Sequence, residues 1–212
     1  EIKTKIEANG LTSIELVIIK ANLPREEALI LQEESANLPG VVVDARAIRE
    51  YKSDLGLSHI LGYTGLISDS ELSNNSQYLR NEDTGKAGIE KAYQNQLRGD
   101  PGVEQVEVDS HGAVIRTLTD SKNRQPEMGN NLVLNVNYQL QQVMSTELAA
   151  GIVKAGNGAD SGVAVAMNPQ TGAVLGMVSI PYYDGNIFEG ELNQDEYSKL
   201  LNDKSLPLLN RA

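Results

Sequence analysis

The stretch SGVAVAMNPQTGAVLGMVSIP, residues 161–181, constrains the fold most strongly. Two runs of alternating large and small apolar residues flank NPQTG. Pro169 suits the second position of a type I turn, and Gly172 can take the left-handed conformation that follows. This is the pattern of a β-hairpin. Much of it is apolar on both faces, as in strands buried within a larger sheet. Hence the chain must cover the hairpin with helices or further strands, or expose edges prone to pairing.

The segment before it supplies a candidate cover. NYQLQQVMSTELAAGIVKAG reads as a helix capped by Asn137, with Leu140, Val143, Met144, Leu148 and Ile152 on one face. LVLNV, residues 132–136, reads as a strand entering that helix. After the hairpin, a loop leads to a short helix around Tyr197–Leu201. SKNRQPEMGNN, residues 121–131, reads as a linker, with breaks at Pro126 and Gly129.

The first half has a different texture. SIELVIIK (13–20) and VVVDARAIREY (41–51) read as strands. Between them lies a helix with Asn22 as its cap, Pro24 in its first turn, and NLPG (37–40) as its stop. SDSE (68–71) is a capping box joining Ser68 and Glu71. SNNSQYLRNEDTG reads as loop, and its NNS (74–76) is formally a glycosylation sequon. In GKAGIEKAYQNQLRGDPG (85–102), Ile89, Tyr93 and Leu97 form one helical stripe. Arg98 falls in its last turn, and Gly99 suits the residue just past its end. Glu90 and Arg98 are candidate ion-pair members, and with Tyr93 they would tie this helix to neighbouring strands. VEQVEVDSHGAVIRTL (103–118) reads as a second hairpin turning at DSHG.

Direct chemistry is sparse. The 212 residues contain no cysteine, which excludes disulfides and thiolate sites. The two histidines, His59 and His111, have no second imidazole nearby in sequence. His59 reads as a hydrogen-bonded structural residue and His111 as a solvated turn residue. Neither a metal site nor a cofactor site is expected. A net charge of −11 argues against nucleic acid as a main partner. No apolar run reaches the ~18 residues of a membrane helix.

Taken in order, SHILGYTG (58–65), GKAGIEKAYQNQLRGDPG and EVDSHG (107–112) resemble the pedestal, or dimerisation, domain of class B penicillin-binding proteins. LNVNYQLQ, the long hairpin with its exit, and PLLNRA (207–212) resemble the start of their transpeptidase domain. GYTG and GIEKAYQNQLRG lean towards the elongation-type members. The resemblance implies an α+β fold: a pedestal over 1–128, then an incomplete transpeptidase-type α/β sandwich over 129–212. Asn137 stands where the family usually has Asp. Gly185 replaces the Pro of the family's Asp-Pro-Asn turn and should loosen that loop.

The family's nucleophile lies in a Ser-x-x-Lys motif. SKLL, SLPL and STEL all fail that pattern, and Lys-Thr-Gly is absent. SNN (73–75) matches Ser-x-Asn only formally. No catalytic residue is therefore assigned, and the structural candidates are Glu90, Tyr93, Arg98, Gly99, His59 and Asn137.

The resemblance implies a piece of a peptidoglycan D,D-transpeptidase, inactive alone, that supplies scaffold and partner-contact surface. Its parent would be extracytoplasmic and anchored by an N-terminal membrane helix. The implied partner is a polytopic glycan polymerase, with peptidoglycan reached only through the full-length parent. A homodimer or a complementing chain stays open. The alternatives are a complete non-enzymatic binding module and one part of a split enzyme. Residues 130–212 alone offer a poor core, so they are expected to be partly disordered, to self-associate, or to be completed by another chain.

Overall fold

The computed structural model describes residues 2–9, 17–38, 40–45, 47–52, 55–75, 77–109, 114–119, 122–190 and 192–212. Helix and small antiparallel sheets alternate along the chain, the mixed α+β pattern expected. The chain divides into two compact units. One comprises Glu1–Ala47 and Pro101–Pro126; the other comprises Ile48–Asp100 and Glu127–Ala212.

The first unit holds helix α1 (Ile2–Asn9), helix α2 (Arg25–Glu33) and a 3-10 turn at Glu34–Asn37. Pro24 occupies the cap position of α2. Asn22, expected there, instead adopts a positive φ of 54°. Glu26 and Glu27 lie in the first turn, where the helix dipole favours acids. The hairpin expected near DSHG is present beyond Pro101: strands β3 (Val106–Val108) and β4 (Val114–Thr117) pair antiparallel, with a bulge at Glu107/Val108. Its turn, with His111, lies outside the described residues, as do residues 13–16 of the first expected strand and Ser76 of the sequon. Residues 17–20 are not a strand.

The second unit carries the core. Strands β5 (Gly162–Met167) and β6 (Val174–Ile180) form the long hairpin, paired antiparallel in one register from Gly162↔Ile180 to Ala166↔Gly176, with a shift of one residue before Met167↔Val174. At its turn Gly172 has φ 74°, and its N–H donates to Asn168 O. Helix α7 (Tyr138–Ala155) packs on it, and Asn137 Oδ1 accepts the Leu140 N–H at 3.0 Å. The buried side of α7 differs from the apolar stripe in one respect. Val143 is 57% exposed, whereas Gln141 and Ser145 are buried.

Gln141 is fully buried for a physical reason. Its Nε2 donates to Met177 O (2.8 Å) and Leu55 O (3.1 Å), and its Oε1 accepts the Met177 N–H (2.9 Å). One side-chain amide thus pairs with both backbone groups of Met177, on the edge of β6 that β5 leaves open. This satisfies groups that burial would otherwise penalise.

Neither LVLNV nor the described residues of VVVDARAIREY (41–45 and 47–51) form a strand. β-branched residues favour extended backbone, but a strand also needs a ladder partner. Val133 is 92% exposed. Residue 51 finds its partner in a side chain instead. The Tyr51 N–H donates to Asn186 Oδ1 (2.8 Å), and Asn186 Nδ2 donates to Tyr51 O (2.9 Å). The poor core expected of 130–212 is likewise corrected: the missing partner is 48–100 of the same chain. Leu55, Val178, Tyr183, Phe188 and Gln141 are buried in this one unit. The outer face of β5 stays open, with Val163, Val165 and Met167 exposed.

Gly185 lies buried in a defined turn. It starts a 3-10 turn (Gly185–Phe188) capped by Asp184, and a Cβ there would meet the Tyr51 ring at 2.9 Å. The final helix, α8 (Gln194–Asn202), brackets the expected Tyr197–Leu201, with Asn193 as its cap.

Candidate contact scaffold and its polar clamp

The motif segment builds a small frame within the second unit. SHIL forms helix α3 (Ser58–Leu61), and strand β1 (Thr64–Leu66) follows. Helix α4 (Asp69–Asn74) opens with the expected capping box: Ser68 Oγ accepts the Glu71 N–H, and Glu71 Oε2 accepts the Ser68 N–H. Residues 83–85, read as loop, form strand β2 (Asp83–Gly85) antiparallel to β1. Asp83 and Gly85 carry little strand propensity, so the pairing comes from the frame around them.

Glycines set how closely these pieces approach. Gly62 has φ 77°, and a Cβ on it would lie 2.0 Å from Ala87 O. Gly88 has φ 55°, and its Cβ would lie 2.6 Å from Ile60 O. The two glycines of GYTG and GKAG therefore let two backbone segments touch where no side chain fits.

The helix expected over 88–98 is interrupted. Helix α5 (Gly88–Ala92) and helix α6 (Gln94–Leu97) meet at Tyr93, which has φ −112° and ψ 22° and is 42% exposed. The Ile89–Tyr93–Leu97 stripe is therefore not a buried ridge. Arg98, expected in the last helical turn, is the extended residue that ends α6. Gly99 takes no left-handed conformation; a Cβ there would lie 2.3 Å from Glu127 O.

Glu90 is buried at the centre of a clamp. Arg49 Nε lies 3.1 Å from its Oε1, and Arg49 Nη2 lies 3.5 Å from its Oε2. The Tyr51 hydroxyl accepts the Thr64 N–H at 3.1 Å, and Thr64 Oγ1 donates to Glu189. The Arg49 N–H also donates to Glu189, at 3.3 Å. Burial raises the pKa of Glu90; Arg49 opposes that shift, and the nearby Glu189 adds to it. Burial likewise raises the Tyr51 phenol. The clamp thus ties residues 49–51, β1, α5 and the 184–189 turn together.

Arg98 makes a second tie. Its guanidinium grips both Glu82 oxygens, donates to Gln77 O at 2.7 Å, and stands 4.3 Å from the centre of the Tyr78 ring. The Glu82 bonds raise its pKa further. His59 Nε2 lies 3.0 Å from Pro207 O, and its ring meets Tyr183 edge-on at 5.4 Å. Tyr63 stacks on Phe188 at 3.8 Å, extending the aromatic cluster. Sequence reasoning missed Arg49, Tyr51, Asn186 and Glu189. They are distant in sequence, and only the fold brings them together.

Ser73, the serine of SNN, donates to Ser70 O within α4 at 3.0 Å. Among the described residues no group of three His, Cys, Asp or Glu could hold a metal ion, and no helix is long and apolar enough to cross a membrane.

Comparison with known proteins fits this frame. The chain is 36% identical over 216 residues to peptidoglycan D,D-transpeptidase MrdA of Escherichia coli K12, covering 99% of this chain and 32% of that protein. It resembles the structure of a complex between penicillin-binding protein PBP2 and MreC from Helicobacter pylori. There the TM-score is 0.71 at 27% identity, covering 95% of this chain and 36% of that one. It also resembles a structure described as the structural coordination of polymerization and crosslinking by a peptidoglycan synthase complex. There the TM-score is 0.63 at 28% identity, covering 99% of this chain and 38% of that one. The chain spans about a third of the length of the curated relatives it matches. Residues 1–134 match the model of the penicillin-binding protein dimerisation domain, and the chain belongs to that family.

Proposed function

We propose that this chain is the pedestal and first transpeptidase segment of a peptidoglycan D,D-transpeptidase of the elongation type, acting as scaffold and partner-contact surface in cell-wall synthesis. Residues 1–128 are the pedestal, and 129–212 begin the transpeptidase domain. Catalysis belongs to the whole protein, which works outside the cytoplasm and is anchored by an N-terminal membrane helix. The structural candidates Glu90, Tyr93, Arg98, Gly99, His59 and Asn137 serve shape, not chemistry.

One observation carries this reading. The first unit has no buried residue among those described, yet Leu29, Ile30, Val42, Val103 and Ile115 stand exposed. Apolar side chains left exposed in a unit with no buried residue among those described suit protein contact. The relatives support the partner class: one neighbour is a complex with MreC and another a peptidoglycan synthase complex. The finer assignment, a polytopic glycan polymerase, follows from the family resemblance.

The test titrates the chain with MreC and with the glycan polymerase of the same source, and measures its intact mass after incubation with penicillin. Saturable binding to either partner and no adduct near 22.9 kDa is the expected result. A penicillin adduct on this chain, or binding to neither partner, would overturn the reading.

A further inference from the structure

The segment after α8 is organised around a cation. Arg211 Nη1 donates to Leu206 O (3.1 Å) and Leu209 O (3.0 Å), and Nη2 donates to Ser205 O (2.6 Å). The Arg211 N–H donates to Ser179 Oγ on β6 at 3.1 Å. Asp203 Oδ1 accepts the Ser205 N–H and hydroxyl, and Leu206 takes a positive φ of 50°. Pro207 is buried, and its carbonyl meets His59 Nε2.

A carbonyl oxygen can only accept, so Nε2 carries the proton and a neutral ring leaves Nδ1 bare. Nδ1 is buried and has no hydrogen-bond partner. A second proton would therefore sit on a buried atom in a ring that already faces the Arg211 cation.

We propose that residues 203–212 form a latch, wound on the Arg211 guanidinium and closed by His59, and that protonation of His59 opens it. The latch rests on its own geometry, not on the scaffold reading. Burial lowers the His59 pKa; the Pro207 and Leu209 backbone pulls upward and Arg211 pulls downward. Tyr183, whose phenol is pushed up to about 12, remains neutral beside the ring. Asp203 and Lys204 lie exposed at the start of the segment.

The sign follows from linkage. The closed state binds fewer protons than the open one. Closure is therefore fully favoured above the free histidine value of ~6.5 and weakens as pH falls below it.

The test is amide hydrogen exchange on the whole chain between about pH 5 and 7.5, read as protection factors for Leu206, Leu209 and Arg211. The β5–β6 amides serve as the internal control for folding. Latch protection should hold down to about pH 6.5, then fall no more steeply than about tenfold per pH unit, the limit for one proton. His59→Gln keeps a donor for Pro207 O but does not titrate, so the fall should vanish. Arg211→Gln should lower latch protection at every pH while β5–β6 stays protected. A flat wild-type profile, the same fall in His59→Gln, or full protection in Arg211→Gln would each overturn the proposal.

Discussion

The two units differ in where their apolar residues go. In the second, Leu55, Val178 and Phe188 are buried, and polar groups beside them are matched by Gln141, Asn186 and Arg49. In the first, α2 and the β3–β4 hairpin bury nothing among the described residues, although Ile30 and Ile115 are about as apolar as core residues. Similar side chains thus serve different ends. Where backbone groups can be paired on all sides, apolar residues build a core. Where only a local helix or hairpin is satisfied, they remain available to a partner.

Substitutions can break or sharpen this contrast. Gln141→Ala should have the largest effect, because it strips partners from Leu55 O and both backbone groups of Met177 and opens a cavity. We expect a loss of about 3–5 kcal/mol in denaturant unfolding followed by circular dichroism. Arg98→Lys should cost less, about 1–2 kcal/mol, because an ammonium cannot reproduce the two-pronged grip on Glu82 or the stacking on Tyr78.

Glu71→Gln should remove a pH dependence that the wild type carries. The Lys86 ammonium, 2.5 Å away, and the Ser68 N–H hold the Glu71 carboxyl down at about 2. A lowered carboxylate stabilises the fold above its unfolded value and loses that contribution as pH falls. The wild-type advantage over Glu71→Gln should be present at pH 7 and shrink between pH ~4.5 and ~2. With Glu71 partly exposed, solvent screening keeps it below about 1 kcal/mol. Ile115→Ser in the first unit should be smallest, within about 0.5 kcal/mol. The same variant should weaken partner binding, which would separate contact surface from core.

Much of this architecture was legible in the sequence. Local signals held where neighbours in the chain satisfy them: the Ser68–Glu71 box, the Asn137 cap, and the turn at Pro169 and Gly172. Signals failed where the outcome depends on a distant partner. LVLNV and VVVDARAIREY have strand composition but no strand beside them. Gln141 lies outside the apolar stripe read for α7, yet it bonds the open edge of β6. Glu90 and Arg98 are both ion-paired, with Arg49 and Glu82, but the sequence could not name those partners. The helical stripe through Tyr93 failed because Tyr93 itself leaves helical geometry (φ −112°, ψ 22°) and splits the segment into α5 and α6.

Limited proteolysis with mass-spectrometric mapping of the cuts tests the central contrast most directly. The structure predicts early cleavage within 17–45 and 101–126, while 48–100 and 127–212 persist, and slower cleavage of the first set when a partner is bound. Early cuts inside α7 or the β5–β6 hairpin, with the first unit intact, would contradict it.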